Sequence, residues 1–129
     1  VSLLFLDLND FKSINDTYGH AEGDEALKVF SSLLEKTFRE TDTFARIGGD
    51  EFVVVQSFSD KGESMVSANR MHEALDRYNH DSGKPYQLSF SEGIVTVEPE
   101  NTLSIEELLN KADLAMYQSK KQYKSRGRL

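Results

Sequence analysis

The sequence contains no cysteine, and this absence excludes disulfide bonds, thiolate zinc sites and cysteine nucleophiles. No apolar run approaches the ~20 residues that a membrane-spanning helix requires, and no basic-then-apolar signal segment opens the chain. Basic residues are in the minority, since 15 Lys+Arg stand against 22 Asp+Glu for a formal net charge of −7. Such a chain lacks the basic face that non-specific duplex binding needs, so we expect no nucleic-acid partner.

Several familiar site motifs are also missing. The sequence has no G-x-x-x-x-G-K-[ST] loop, no G-x-G-x-x-G fingerprint and no EF-hand spacing of its acids. Its three histidines are scattered and form no zinc pattern. Site chemistry therefore has to come from carboxylates, on a chain of 129 residues that is long enough for one globular domain.

Apolar periodicity predicts alternating strands and helices. Residues 1–6 form a nearly continuous apolar run, which is typical of a strand buried on both faces. Residues 7–24 are polar and aperiodic, so we expect a loop with a short helical turn, closed by Asp24 as the N-cap of a long helix. The later segments are predicted as a hairpin at 43–47 and 52–56, a helix through 65–78, a loop at 81–85, a strand at 86–97 with Gly93 as a bulge, and a helix opened by the capping box Ser104-x-x-Glu107.

The resulting order, β-α-β-β-α-β-α, predicts an α/β (α+β) fold of ferredoxin-like type. We expect a central sheet of mixed strand direction, flanked by helices. In such a sheet, Asp7 at the end of the first strand can lie beside Asp50 and Glu51 at the hairpin tip. Carboxylates held that close repel one another unless a cation neutralises them. Hard oxygen ligands without histidine or cysteine suit Mg²⁺, which completes its shell with water and substrate phosphate.

Two glycines, Gly48 and Gly49, directly precede the hairpin acids. They let a triphosphate approach the backbone without meeting a Cβ. Taken alone, the tetrapeptide has a second interpretation, an ordinary turn with solvated acids.

Residues 46–52, Arg-Ile-Gly-Gly-Asp-Glu-Phe, resemble the signature of the GGDEF domain, the diguanylate cyclase family. Residues 7–24, which begin Asp-Leu-Asn-Asp-Phe-Lys and end Gly-His-x-x-Gly-Asp, are similar to that family's first motif at its usual distance upstream. The resemblance continues to Ala-Asp-x-Ala-Met-Tyr at 112–117. It implies a palm-like fold related to nucleotide cyclases, as a single domain over 1–129 that is trimmed of its first helix and ends near its last strand.

Members of this family join two GTP molecules into cyclic di-GMP and release two pyrophosphates, with two domains facing each other. Carried over by position, Asp7, the Leu8 carbonyl and Glu51 would hold Mg²⁺ or Mn²⁺. Asp50 would serve as a second metal ligand or as the general base for the 3′-hydroxyl. An in-line attack on an α-phosphate needs this kind of charge neutralisation.

Substrate contacts follow from the same resemblance. Asn15 and Asp24 would recognise guanine, since a carboxylate accepts hydrogen bonds from the N1–H and N2–H₂ edge and an amide pairs with O6. Lys12, Lys120 and Lys124 would contact phosphates.

A product-inhibition site is implied as well. Arg39-Glu40-Thr41-Asp42 resembles the family's R-x-x-D motif, and Arg70 matches its secondary arginine. Arginine forks suit phosphate and the Hoogsteen edge of guanine. An isolated R-x-x-D is more often a surface ion pair, and its position before the double glycine favours the inhibitory interpretation.

Two of the chain's departures from the family pattern bear on its activity. Asn9 stands where many members carry a second aspartate, and Tyr123-Lys124-Ser125 replaces the usual Gly-Arg-Asn. These departures favour a second hypothesis, a module that binds GTP or cyclic di-GMP and regulates an attached domain, whereas the intact signature favours the enzyme. The resemblance further implies a homodimer, a covalently linked sensory or phosphodiesterase domain, and a cytoplasmic location, with any membrane anchor outside these residues.

Overall fold

A computed structural model describes residues 1–57, 60–98 and 104–127, and the side chains of 105 and 122–127 lie outside that description. Strands and helices alternate along these residues much as the periodicity predicts. In chain order the elements are β1 (Ser2–Leu8), α1 (Phe11–Tyr18), α2 (His20–Thr37), β2 (Thr43–Arg46), β3 (Glu51–Gln56), α3 (Lys61–Ser82), β4 (Phe90–Thr96) and α4 (Ile105–Gly127).

The four strands form one sheet in the order β2-β3-β1-β4, and each neighbouring pair is antiparallel. This order is that of the ferredoxin-like split arrangement, so the predicted fold class is confirmed. The expectation of mixed strand direction is wrong for these strands. β1 and β2 do run parallel, but β3 lies between them, because the helical connection from β1 skips one position in the sheet.

The central strand β1 is buried on both faces, as its continuous apolar run predicts. Side chains alternate between the faces of a strand. Leu4 and Leu6 belong to a core shared with α2 and α3, whereas Phe5 packs with Ala112 of α4. By the same alternation, Asp7 lies on the face of the sheet that packs against α4.

The segment between β1 and β2 is more helical than predicted. α1 is a complete helix and α2 begins at His20, so the loop expected over 7–24 is wrong. Gly19 separates the two helices with a φ of 94°, a conformation that L side chains rarely adopt. Asp24 consequently lies inside α2, and Gly19 occupies the N-cap. α1 buries only Ile14, too little apolar periodicity for a sequence pattern to reveal.

Gly93 forms no bulge, because β4 pairs with β1 in unbroken register and Gly93 lies opposite Phe5. Its role is close packing. A Cβ at this position would lie 2.5 Å from the carbonyl oxygen of Ala112, so the missing side chain lets α4 cross the strand.

Two other boundaries differ from the prediction. α3 continues to Ser82 and ends at Gly83, whose φ is 69°, and β4 begins only at Phe90. Residues 83–89 therefore form an extended connector. The capping box is confirmed at one bond, since the Glu107 backbone N–H donates to Ser104 Oγ at 3.1 Å. Across the described ranges, none of the helices combines the length and apolar character that crossing a bilayer demands.

Candidate active site

Asp7, Asp50 and Glu51, the three acids predicted to converge, lie together. Each offers one carboxylate oxygen, and these oxygens all lie within 4.8 Å of one another. Asp7 and Glu51 face each other directly in the β1–β3 register, and the Asp50 carbonyl accepts the Leu8 N–H at 3.1 Å. Directly opposed like charges destabilise an antiparallel pair. The arrangement is therefore one that a bound cation would stabilise.

Asp7 is the buried member of this acid cluster, with 5% of its surface exposed. Its Oδ2 accepts a hydrogen bond from Lys120 Nζ of α4, while its buried Oδ1 has no hydrogen-bond partner among the described residues. Burial, followed by the negative charge of Asp7, raises the pKa of Asp50 to about 6. An unpartnered buried carboxylate oxygen is costly, and a hard divalent cation is the kind of ligand that would satisfy it.

The turn before β3 has an open backbone surface. The N–H groups of Ile47 and Gly48 donate to the Glu51 carbonyl at 2.9 and 3.4 Å, and Arg46 Nε donates to the Gly48 carbonyl at 2.9 Å. A Cβ at Gly49 would meet nothing within 4 Å. Arg46 thus contacts the turn, and its place directly before Ile-Gly-Gly is the sequence signal for this contact.

Asn9 does not join the acids. Its Nδ2 donates to Ser89 Oγ at 3.1 Å and its Oδ1 accepts from Ser91 Oγ at 2.8 Å. The side chain, only 6% exposed, thereby ties the end of β1 to the start of β4. The two serines have no sequence signal, because they lie about 80 positions away and act only through the fold.

The predicted guanine-binding residues lie at the corner between α1 and α2. Asn15 packs against Gly23 so closely that a Cβ there would lie 1.7 Å from Asn15 Oδ1. Asp24 is the next residue and is exposed. It lines a cavity of about 510 Å³ between α2 and β2, together with Arg46. Gly23, which directly precedes Asp24 in α2, thus provides the space that Asn15 of α1 occupies.

The three lysines that were predicted to contact phosphate lie in different environments. Lys12 is exposed on α1. Lys120 contacts Asp7 in the acid cluster. Lys124 belongs to α4, and the structure does not describe its side chain.

Arg39, Asp42 and Arg70, the predicted inhibitory set, line one cavity of about 300 Å³. The Asp42 side chain is 2% exposed, and its Oδ2 accepts hydrogen bonds from the Arg39 N–H at 3.1 Å and from Gln56 Nε2 at 3.2 Å. Gln56 is a contributor that the sequence analysis missed. Its apolar strand neighbours give no sign that a fully buried amide holds this acid.

The family described as "Diguanylate cyclase, GGDEF domain" matches residues 1–126. The chain is 37% identical over 125 residues to "Probable diguanylate cyclase DgcC" of Escherichia coli, a match over 97% of this chain and 33% of that protein. It is 35% identical over 120 residues to "Cyclic di-GMP phosphodiesterase NbdA" of Pseudomonas aeruginosa, over 93% of this chain and 15% of that protein.

A solved structure gives the same result in three dimensions. The EAL/GGDEF domain protein from M. capsulatus superposes with a TM-score of 0.78 at 35% identity, covering 94% of this chain and 78% of that one. The chain spans about a third of DgcC and a smaller share of NbdA. Because the family match extends over nearly every residue, the chain belongs to the GGDEF domain family.

Proposed function

We propose that the protein containing this domain is a diguanylate cyclase, which condenses two GTP molecules into cyclic di-GMP and releases two pyrophosphates. The observation that carries this proposal is the cluster of Asp7, Asp50 and Glu51, whose carboxylate oxygens lie within 4.8 Å of one another beside an open glycine turn. Membership of the GGDEF family supports the same activity.

The cluster fits Mg²⁺, or Mn²⁺ in its place. It offers hard oxygen ligands from Asp7, Asp50 and Glu51, including Asp7 Oδ1, which has no hydrogen-bond partner in the described part of the chain. The Leu8 carbonyl would be a further ligand, as the family resemblance implies. A bound cation would supply charge neutralisation at the α-phosphate and at the pyrophosphate leaving group. Asp50 would be either one of its ligands or the base that accepts the 3′-hydroxyl proton.

Other residues of the chain would hold the nucleotide. Asn15 and Asp24 would pair with the guanine edge, and Gly48 and Gly49 would let the phosphates approach the backbone of the turn. The cations Lys12, Lys120 and Lys124 would meet phosphate oxygens.

The product joins two nucleotides, so each of two facing domains would contribute one GTP. Catalysis would therefore require a homodimer of the protein. Neighbouring domains in the longer protein, sensory or phosphodiesterase, would control how the two domains meet.

The cavity lined by Arg39, Asp42 and Arg70 supports product inhibition by cyclic di-GMP. Two arginines offer bidentate donors for phosphate and for guanine N7 and O6. An Arg70→Ala variant is expected to need at least about tenfold more cyclic di-GMP for half-inhibition, with little change in initial rate, since it loses a charged hydrogen bond of about 1.5–3 kcal/mol. Unchanged inhibition would contradict this assignment.

A second candidate function is a regulatory module that binds GTP without converting it. The ion pair between Lys120 and Asp7 favours this function, because an ammonium already neutralises the buried acid. The engagement of Asn9 with two serines also favours it, since Asn9 adds no negative charge to the acid cluster.

Incubation of the full-length protein with GTP and Mg²⁺, followed by chromatography for cyclic di-GMP, distinguishes the two functions. We expect product from the wild type and a loss of at least about 100-fold in rate for Glu51→Ala, which removes a charge-neutralising ligand. Glu73→Ala, an exposed acid on α3, is the matched control and should retain the rate. A wild-type protein that binds GTP and yields no product would refute the enzyme and support the regulatory module.

A further inference from the structure

The connector of residues 83–89 links α3 to β4 and is held in place by hydrogen bonds. Asn79 of α3 forms two hydrogen bonds with the backbone of Leu88: its Nδ2 donates to the Leu88 carbonyl and its Oδ1 accepts the Leu88 N–H, both at 2.8 Å. The Leu88 side chain is itself buried in the core. The connector therefore has a fixed position relative to the body of the domain.

Two side chains of the connector contact the first turn of α2. Glu22 accepts hydrogen bonds from Lys84 Nζ at 2.7 and 3.1 Å and from Tyr86 Oη at 2.9 Å. The bond from Lys84 lowers the pKa of Glu22, so the carboxylate stays ionised and its hydrogen bonds are charge-assisted. Glu22 directly precedes Gly23, against which Asn15 of α1 packs, and Asp24 follows.

The connector also contacts the C-terminal end of α1. Tyr18 Oη donates to the Pro85 carbonyl at 3.2 Å, and the rings of Tyr18 and Tyr86 lie 5.1 Å apart at 44°. Contacts thus lie on both sides of Gly19, the left-handed residue at which the chain turns between the helices.

The far end of the connector holds the start of the same segment. The Ser89 carbonyl accepts the Asn9 N–H at 2.9 Å, and Ser89 Oγ accepts from the Asn9 amide. The stretch from Asn9 to Asp24 is therefore attached to the connector at both ends. Its middle carries Asn15.

We propose that Glu22, Lys84 and Tyr86 are positioning residues for the guanine of GTP, because they fix the angle between α1 and α2 and thereby the placement of Asn15 and Asp24. This inference rests on the proposed function of the domain. None of the three residues belongs to the acid cluster on β1 and β3. Their loss is expected to weaken nucleotide binding and to leave the chemical step nearly unchanged.

The variants Glu22→Gln and Tyr86→Phe test the inference in the full-length protein. Each is expected to raise the KM for GTP about fivefold with kcat changed less than about twofold, since Glu22→Gln removes the charge from the bonds of Lys84 and Tyr86, and Tyr86→Phe deletes its own bond to Glu22. The exchange variant Glu22→Lys with Lys84→Glu should have a KM for GTP close to that of the wild type, because it restores the ion pair. Glu25→Gln removes the same charge one turn away, where Glu25 affects Lys84 and Tyr86 only through space, and should leave the KM unchanged.

Amide hydrogen exchange over residues 15–24 supplies a readout that needs no activity. Faster exchange in Glu22→Gln than in Glu25→Gln is expected. An active wild type whose KM stays constant in Glu22→Gln and Tyr86→Phe would overturn the positioning role, as would equal exchange in all variants. An inactive wild type would instead refute the proposed function. The exchange data alone would then decide whether the connector fixes the corner between α1 and α2.

Discussion

Replacing Gly23 with alanine should improve stability and impair nucleotide binding at the same time. The Cβ would lie 1.7 Å from Asn15 Oδ1, a distance that no real contact allows. Because that oxygen is at the far end of a half-exposed side chain, Asn15 can rotate away at little cost. The substitution therefore displaces the amide rather than the helix.

The two effects have different sizes. Alanine is favoured over glycine inside a helix by about 0.5–1 kcal/mol, so the free energy of unfolding should rise by roughly that amount and the unfolding temperature by about 2–4 °C. A displaced Asn15 would lose the proposed hydrogen bond to guanine, worth about 1–1.5 kcal/mol, which should raise the KM for GTP about tenfold.

Thermal unfolding and steady-state kinetics of the full-length protein measure both quantities. Gly62→Ala, in the first turn of α3, is the matched control, because its Cβ would meet only the Asp60 side chain at 3.3 Å. Gly23→Ala combined with Asn15→Ala should bind GTP no worse than Asn15→Ala alone, since both changes remove the same contact. A KM for Gly23→Ala within about twofold of wild type, or additive losses in the double variant, would refute the reasoning.

Three further predictions concern packing, the acid cluster and pH. Gly93→Ala should destabilise the domain by more than about 2 kcal/mol in chemical unfolding, because its Cβ would lie 2.5 Å from a backbone oxygen of α4. Lys120→Met should lower stability by about 1 kcal/mol without metal, and Mg²⁺ should raise its unfolding temperature more than that of wild type, because Asp7 has lost its ammonium partner; equal Mg²⁺ shifts would count against a cation site. Burial and then the bond to Glu22 raise the pKa of Tyr86 to about 12, so the stabilisation from its neutral phenol should be complete below about pH 10 and lost as pH rises through about 12. An ultraviolet difference titration against Tyr86→Phe measures this pKa, and Glu22→Gln should lower it.

Sequence patterns predicted the parts of the molecule that depend on short-range chemistry. The apolar run of β1 and the hairpin acids are local signals, and together they were sufficient to predict the cluster of Asp7, Asp50 and Glu51. The Gly-Gly turn preceding β3 is also readable, because paired glycines between β-prone runs are typical of a hairpin.

Features that depend on one specific tertiary contact were not readable. Lys120 reaches Asp7 across 113 positions, and nothing in the charge pattern of α4 distinguishes it from the neighbouring lysine. α1 was missed because a helix of 8 residues with one buried side chain has little periodicity. Gly93 looked like a strand irregularity, since its cause, the close crossing of α4, becomes visible only once the helix is in place.

The acids of the cluster come from parts of the sheet that differ in local stability. Asp7 lies in β1, which is paired on both sides, whereas Asp50 lies in the turn that joins β2 to β3. Amides of a doubly paired central strand open only near the global unfolding limit, whereas turns open far more readily. Local fluctuations of the turn are therefore expected to move Asp50 away from Asp7, while Glu51 stays in β3 opposite Asp7. The complete set of three acids should then persist only as long as the turn stays in place, which is a shorter time than the lifetime of the folded domain.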